Sequence, residues 1–313
     1  MTIALISHPD CLRHDPGEGH PECPQRLSAI DDQLVASGLE FVLRHYRAPL
    51  AARAQLERVH DAGYLDDLFA GAPREGYRRL DGDTVMGPHS LAAARRAAGA
   101  CILGVDLVLG GEAGAAFCNV RPPGHHATRS RAMGFCLLNN VAVGAAHALE
   151  HHGLARVAIV DFDIHYGNGT EAIFRDDPRV LVCSTFQHPL FPYEDPGPEN
   201  DHIVHAPLPP GADGAAFRAA AEARWLPRLD AFAPQLVLVS AGFDGHREDD
   251  LSDARLTERD YAWATTRIKE AADTHAGGRV VSVLEGGYVL PALGRSAAAH
   301  INALLGQVGQ GPE

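Results

Sequence analysis

Two acids and a histidine occupy alternating positions directly after an apolar run. Residues 156–160 are short and rich in β-branched side chains, which is typical of a buried parallel strand, and Asp161, Asp163 and His165 follow them. Because successive side chains of a strand point to opposite faces, these three should project the same way, off the end of the strand. The spacing indicates a metal site, with an Asp-rich turn after a strand as the alternative.

Asp244 offers a third ligand for the same ion. It ends the segment SAGFD, residues 240–244, which follows another apolar run. Structural zinc sites usually close with four Cys or His ligands, whereas three protein ligands leave a position for water or substrate. The set Asp163, His165 and Asp244 therefore predicts a catalytic metal. Zinc is the first choice, and two carboxylates with one imidazole would also hold Fe(II) or Mn(II).

The chain contains two tandem histidine pairs. His125 and His126 follow a rigid Pro-Pro-Gly loop, where neighbouring imidazoles can face one cavity. Beside a metal-bound water, one imidazole can take the proton and return it to a leaving amine while the other shapes the electrostatics. His151 and His152 instead precede Gly153 at a predicted helix end, where the helix C-terminus and a glycine cap explain them. The first pair is predicted to be functional and the second structural.

Tyr288 ends a glycine turn, Glu-Gly-Gly-Tyr, after another predicted strand. A phenol in that position can donate a hydrogen bond to a carbonyl oxygen as it becomes an oxyanion. A buried tyrosine after a strand is common, so this role for Tyr288 is predicted only because the metal ligands and the histidine pair occur in the same chain.

The elements that must position these residues repeat one pattern, in which an apolar run ends in Gly and polar residues and a helical stretch follows. Such alternation predicts an α/β fold, an open, doubly wound, mostly parallel sheet with helices on both faces. The loops after the strands should then converge, because ligands of such sheets bind outside the carboxyl ends of the strands. With 313 residues, 46% of them hydrophobic, and no linker-like segment, we expect one domain over residues 1–313. The predicted strands are 3–6, 115–120, 156–160, 180–183, 235–239 and 279–284, and the predicted helices are 90–109, 137–151, 215–232 and 258–274.

Composition narrows the partners and the compartment. A formal charge of -13 disfavours binding to a nucleic-acid backbone and favours cationic partners. No segment approaches the roughly 18 to 20 apolar residues of a membrane span, and the first residues lack a basic start. We therefore expect a cytoplasmic protein with neither nucleic-acid nor membrane partners, and the oligomeric state stays open. The six cysteines form no CxxC pair and argue for neither a disulfide framework nor a thiolate zinc site: Cys11, Cys23, Cys101, Cys118, Cys136 and Cys183.

Five motifs stand in order along the chain: residues 121–127 (RPPGHHA), 134–140 (GFCLLNN), 161–170 (DFDIHYGNGT), 240–244 (SAGFD) and 284–288 (LEGGY). Together they resemble the metal-dependent histone deacetylase family of the arginase/deacetylase superfamily, and most closely its class II-like bacterial amidohydrolases. The resemblance begins at His20 and covers nearly the whole chain. It implies a hydrolase of linear amides that removes acetyl or another small acyl group from lysine side chains.

The resemblance implies catalytic and metal-binding roles. His126 would be the general base and acid, and His125 would tune it electrostatically. Asp161 would orient the ring of His125, and Asn168 that of His126. Tyr288 would polarise the acetyl carbonyl. The implied Zn2+ ligands are Asp163, His165 and Asp244.

The resemblance also implies how substrate would bind. Phe135 and Phe191 would wall a narrow apolar tunnel for an acyl-lysine chain, and Asp83 would be the rim acid that holds the substrate backbone. Arg26 matches a position that lines an inner acetate channel. A structural potassium ion near the zinc would use Asp161, Ser184 and backbone carbonyls that include those of Asp163 and His165.

The chain departs from the family pattern at Tyr166. Most relatives read His-His-Gly-Asn-Gly where this chain has His165, Tyr166 and Gly167. Strand alternation turns residue 166 away from the metal, so we expect altered packing beneath the site and retained activity.

Three other activities remain as alternatives. An acetylpolyamine deacetylase would suit the acidic charge, but polyamine-preferring relatives are expected to carry Glu seven positions after Asp244, where this chain has Leu251. A catalytically silent protein that binds acyl-lysine or a metabolite, as in an acetoin-utilisation role, would not need the acid/base pair. An arginase-like binuclear hydrolase would need further carboxylates at positions that Gly167 and His246 occupy, so one metal is predicted.

Overall fold

A computed structural model describes residues 2–306, and its centre is an eight-stranded, fully parallel sheet. The strands are β1 (Ile3–Ser7), β2 (Leu43–Arg47), β5 (Ala115–Cys118), β6 (Val157–Asp161), β7 (Val180–Gln187), β8 (Ile203–Leu208), β9 (Leu236–Ala241) and β10 (Val280–Leu284), while β3 (Arg78–Arg79) and β4 (Val85–Met86) form a separate antiparallel pair. The order across the sheet is β2-β1-β5-β10-β9-β6-β7-β8. This confirms the predicted α/β class and the parallel sheet.

Two groups of helices pack around the sheet. In one group α5 and α6 contact each other, α5 lies against β1, β5 and β10, and α6 lies against β6 and β9. In the other group α2, α10, α9 and α8 pack in series. Over residues 2–306, no helix has the length and apolarity needed to cross a membrane. The helices are α1 (Pro9–Leu12), α2 (Gln25–Ala36), α3 (Arg53–Leu56), α4 (Ala62–Ala70), α5 (Ser90–Leu109), α6 (Asn140–Glu150), α7 (Asn168–Phe174), α8 (Gly214–Phe232), α9 (Glu258–His275) and α10 (Leu290–Leu304), with a 3-10 helix at Leu39–Val42.

The strand order explains why the motifs meet. The histidine loop follows β5, the LEGGY segment begins at the last residue of β10, and the SAGFD segment ends just beyond β9. Asp161 is the last residue of β6, and Asp163 follows it. These four strands are consecutive neighbours in the sheet. Because all strands run parallel, the four loops leave from the same edge, so residues far apart in sequence converge there.

Strand β7 is longer than the sequence predicts. The prediction ended it at residue 183 and placed Ser184 in a loop, whereas β7 continues to Gln187 with every residue buried. The extension is explained by β8, which pairs with residues 182–187 and covers that edge. Strands β2 and β8 were not predicted, because the exposed polar residues of β2 and Pro207 of β8 break the apolar pattern.

Candidate functional site

Asp163, His165 and Asp244 form a buried group at the carboxyl ends of β6 and β9. One possible ligand atom from each residue lies within 4.8 Å of the other two. His165 Nδ1 is 3.0 Å from Asp244 Oδ2 and 3.2 Å from Asp163 Oδ1. Two buried carboxylate groups around one imidazole nitrogen make a donor set suited to a divalent cation. The structure thus brings together all three of the ligands predicted from the sequence.

Glycine and backbone amides hold the two carboxylates close together. The backbone N–H groups of His165 and Gly286 donate to Asp163, each at 2.8 Å. A Cβ added at Gly242 would overlap the Asp163 carboxylate, and one at Gly286 would overlap that of Asp244. Burial and the charge of Asp163 raise the pKa of Asp244 to about 6. A cation between the carboxylates would relieve this repulsion, so the residues present fit a bound metal ion.

The two positions that a second metal would require do not supply carboxylates. A Cβ added at Gly167 would overlap Asp161 Oδ2, so that position has no room for an acidic side chain. His246 is buried and directed elsewhere, since its Nδ1 accepts from the Glu248 N–H at 3.2 Å and its Nε2 is 3.5 Å from Glu258. The geometry therefore favours one metal ion.

His125 and His126 lie side by side, with ring centroids 4.0 Å apart, but they have different partners. His125 Nδ1–H donates to Asp161 Oδ2 at 2.9 Å, and His126 Nδ1–H donates to Asn168 Oδ1 at 2.8 Å. Burial opposes the charge of His125, but the carboxylates of Asp161 and Asp163 outweigh it and raise its pKa to about 10. Burial and the charges of His125 and His165 hold the pKa of His126 well below its usual range. The surroundings therefore favour the charged form of His125 and the neutral form of His126.

Two residues that were not singled out from the sequence hold the loop of this histidine pair. Glu285 Oε2 accepts from the N–H groups of Gly124 at 2.6 Å and His125 at 3.1 Å. Asn139 caps the N-terminus of α6 and donates from Nδ2 to the Ala127 carbonyl at 3.0 Å. A signal existed for each of them, since Glu285 directly follows a buried strand and Asn139 directly precedes a helix.

A cavity of about 190 Å³ leads to the histidine pair. The ring of Phe191 packs edge-on against His126 with centroids 5.0 Å apart, and that of Phe135 packs against Tyr288 at 5.7 Å. Phe135 has a positive φ of 67°, and its N–H donates to Thr84 Oγ1 at 3.0 Å. A bulky residue in this conformation is strained, which is frequent at ligand-binding sites. The predicted tunnel and rim residues Asp83, Phe135 and Phe191 all line the cavity, and so does Leu251, at the position where polyamine-preferring relatives are expected to carry Glu.

Tyr288 faces the same cavity and is held from behind. Its N–H donates to Asp249 Oδ2 at 2.7 Å, another contact that the sequence did not reveal. The guanidinium of Arg26 lies 4.8 Å from the centre of the Tyr288 ring and donates to the Gly287 carbonyl at 2.6 Å. Burial and the nearby charge of Asp244 hold the pKa of Tyr288 well above its usual range. The phenol therefore keeps its proton and can donate it in a hydrogen bond.

Ser184 fits the predicted potassium site. Its Oγ is buried and has no hydrogen-bond partner among residues 2–306, and the residue pairs with Asp161 across β6 and β7. A buried hydroxyl left without a partner beside a buried carboxylate requires an explanation, and a cation that binds both oxygens would provide it.

Tyr166 points away from the metal group, as strand alternation predicts. Its ring is 6% exposed and lies 4.8 Å from the ring of Phe186 and 5.8 Å from that of His205. It therefore belongs to an aromatic cluster beside the site and does not line the cavity.

Comparison with known proteins gives one family. A family model described as the histone deacetylase domain matches residues 20–304. The chain is 40% identical over 277 residues to the histone deacetylase-like amidohydrolase of Pseudomonas aeruginosa, which covers 86% of this chain and 73% of that protein. It is 37% identical to the human polyamine deacetylase HDAC10, over 98% of this chain and 48% of that protein.

A solved structure agrees with these similarities. The HDA15 HD domain superposes with a TM-score of 0.91 at 32% sequence identity, covering 99% of this chain and 91% of that one. The relatives that match over most of this chain include deacetylases and an amidohydrolase, all of which are hydrolases. The chain therefore belongs to the histone deacetylase family and is a hydrolase.

Proposed function

We propose that this hydrolase is a zinc-dependent deacetylase that removes an acetyl or other small acyl group from a lysine side chain. The observation that carries the proposal is a pair of buried imidazoles, His125 bonded to a carboxylate and His126 to an amide, beside three metal ligands at the base of an apolar cavity. A protein that only binds acyl-lysine has no use for two imidazoles with such contrasting partners.

The residues divide the chemistry. A zinc ion held by Asp163, His165 and Asp244 would polarise the amide carbonyl and acidify a water. His126 takes the proton of the attacking water at Nε2, because its Nδ1–H is committed to Asn168. The same nitrogen then returns the proton to the leaving amine.

His125 and Tyr288 stabilise the negative charge that develops on the substrate during the reaction. The cationic ring of His125, fixed by Asp161, stabilises the negative charge that develops as water adds to the carbonyl carbon. It also favours the neutral form of His126, which has a nitrogen free to accept a proton, before the reaction. Tyr288 donates its O–H to the carbonyl oxygen as charge accumulates there.

The cavity suits a thin, apolar acyl-lysine chain. Phe135 and Phe191 would lie on either side of its methylene groups, and Asp83 at the rim would accept hydrogen bonds from the substrate backbone. Burial and a hydrogen bond with Asp81 raise the pKa of Asp83, so its carboxylate would gain from a donor that the substrate supplies. We propose that Arg26 lines the route by which acetate leaves.

An acetylpolyamine is the second candidate substrate. Two observations favour it, namely the net charge of -13 and the similarity to the human polyamine deacetylase. Against it, position 251 in the cavity lining is leucine, which offers no charge to the distal ammonium of a polyamine. We therefore propose acyl-lysine as the preferred substrate.

The two substrates can be compared directly by kcat/KM for an acetyl-lysine peptide and for N-acetylputrescine. We expect the peptide to be preferred by about tenfold or more, and Leu251→Glu to move the preference toward the polyamine, since a well-placed charge contributes about 1.5–3 kcal/mol. A chelator should abolish both activities and added zinc should restore them. Failure of the metal-replete protein to cleave any acyl amide would leave the silent binding protein, and two metal ions bound together at Asp163, His165 and Asp244 would revive the arginase-like alternative.

We further propose that residues 1–313 act as one catalytic domain. A structural potassium ion would bind Asp161, Ser184 and the backbone carbonyls of Asp163 and His165. A cytoplasmic location without nucleic-acid or membrane partners stays a prediction.

A further inference from the structure

A second group of histidines lies at the other end of α6 from the catalytic pair. His147, His151 and His152 surround Asp106, which lies near the C-terminus of α5. Each of the four residues offers one possible ligand atom, and these atoms all lie within 4.8 Å of one another. We propose that they form a second metal site, which binds a divalent transition-metal ion such as Zn2+ or Ni2+ and bridges the ends of α5 and α6.

Helix geometry brings the donors together. His147 and His151 are four residues apart on α6, so they share one face, and their rings stack with centroids 4.7 Å apart at an angle of 15°. Gly153 follows with a φ of 69°, and the Leu154 N–H bonds back to the Ala148 carbonyl at 3.2 Å. Helix α6 ends at Glu150 with His151 as its C-cap, and Gly153 turns the chain in the left-handed region directly after the third histidine.

Asp106 is the centre of the group. Its Oδ1 lies 2.8 Å from His147 Nε2 and 2.7 Å from His152 Nε2. The His151 ring stacks on that of His147, and no hydrogen bond within residues 2–306 engages its nitrogens. Ion pairs with the Asp106 carboxylate explain the positions of His147 and His152 only. A shared metal ion would explain the positions of all three histidines.

The exposure of the group suits a metal ion that binds from solvent. The Asp106 side chain is 43% exposed and that of His152 is 26% exposed, so an ion can enter from solvent. Imidazole with carboxylate is a donor set for borderline metals.

The positive charge of Arg58, which lies beside His147, disfavours binding of a metal ion at this site. Arg58 Nη1 lies 3.3 Å from His147 Nδ1, and its half-buried side chain would have to turn toward solvent when His147 Nε2 ligates and Nδ1 carries the proton. Replacing Arg58 should therefore tighten metal binding. An ion-pair interpretation predicts no such gain.

The site is separate from the chemistry. Helix α6 has 11 residues, and at about 1.5 Å per residue its two ends are roughly 16 Å apart. Metal binding should therefore stabilise the α5–α6 packing and leave turnover unchanged.

The test uses the enzyme with its catalytic site already filled by one zinc equivalent and with free metal removed. Isothermal titration with Zn2+ alone should show one additional equivalent, and excess zinc should raise Tm by about 5 °C. The double variant H151Q/H152Q should weaken this second binding by more than about tenfold and lose the Tm shift, while R58Q should strengthen it. The matched control is H45Q, because His45 is also exposed and pairs with one carboxylate, Glu40, at 3.0 Å.

Two outcomes overturn the proposal. One is the absence of an additional equivalent in the wild-type enzyme, and the other is equal binding by wild-type and H151Q/H152Q proteins. Because both substituted histidines are exposed, the double variant should fold, and circular dichroism with unchanged turnover would verify it. Since binding and Tm are measured with the catalytic zinc in place, neither result depends on the substrate.

Discussion

The two tandem histidine pairs lie near opposite ends of α6 and differ in almost every physical respect. His125 and His126 are 2% and 4% exposed, and each ring has a partner of its own, one carboxylate and one amide. His151 and His152 are exposed, and only His152 bonds to a side chain, Asp106. The partners of the first pair therefore favour opposite charge states in its two rings, whereas the second pair has no such contrast of buried partners.

This difference shows that a tandem motif acquires its chemistry from what faces each ring. Adjacent imidazoles on one loop would titrate alike if their surroundings were alike. Asp161 at the end of β6 and Asn168 at the start of α7 separate them by supplying a charge to one and only a dipole to the other. The exposed pair lacks such a division, and the structure offers it metal binding in place of acid/base catalysis.

The largest expected difference between the pairs is in turnover. His126→Ala should lower kcat for an acetyl-lysine peptide by about 10²–10⁴-fold, since it removes the proposed general base and acid. His151→Ala should leave kcat within about twofold. Steady-state kinetics with matched zinc content measures both, and equal losses in the two variants would contradict the comparison.

The pH dependence of kcat/KM tests whether the residue bonded to His126 sets the pKa at which it acts as a base. Asn168→Asp would place a carboxylate beside His126 and raise its pKa. Because the base acts only when deprotonated, the acidic limb of kcat/KM should move to higher pH by about one unit or more.

The control for that shift is His152→Gln, which lies outside the proposed catalytic machinery and should leave the profile in place. An unchanged acidic limb in Asn168→Asp would mean that His126 is not the group that limits activity at low pH.

A smaller loss of kcat is expected from a change at Glu285, which holds the backbone of the loop that carries His125 and His126. Glu285→Gln keeps one oxygen for the N–H groups of Gly124 and His125 but removes the charge. We expect a loss of kcat of about 10–100-fold, as for groups that orient catalytic residues, with substrate KM nearly unchanged. Steady-state kinetics measures the loss of kcat, and urea unfolding measures any loss of stability in the same variant. A variant that loses stability but keeps its kcat would show that Glu285 does not position the histidines.

The residues of the site were predictable because each of them follows a strand. Asp163 and His165 lie beyond the end of β6, in a bent segment, yet they share the direction that strand parity predicts from the sequence. Glu285, Asn139 and Asp249 were missed as supports because they bind the backbone of loops that belong to other elements. Which loops are neighbours depends on the order of the strands, and that order is set by the packing of the whole sheet.

The outer parts of the sheet were the least predictable. Strand β2 (Leu43–Arg47) is mostly exposed and polar, because an edge strand needs only one neighbour and little burial. The true length of β7 depended in turn on β8, whose pattern is interrupted by His205 and Pro207. Where burial on both faces imposes an apolar run, as in β6, β9 and β10, the predicted and observed strands agree within about two residues.

The smallest effect on turnover is expected from Tyr166→His, which would create a third tandem pair with His165. Its ring packs on Phe186 and His205 and has no contact with the cavity, so the new imidazole would gain neither a separate partner nor access to substrate. Turnover should therefore stay within about threefold, and stability should fall by about 1–3 kcal/mol, because a smaller, more polar ring would replace a buried phenol ring. A rise in kcat by orders of magnitude would show that adjacency alone is enough to recruit a histidine, and that partners matter less than the two pairs at the ends of α6 suggest.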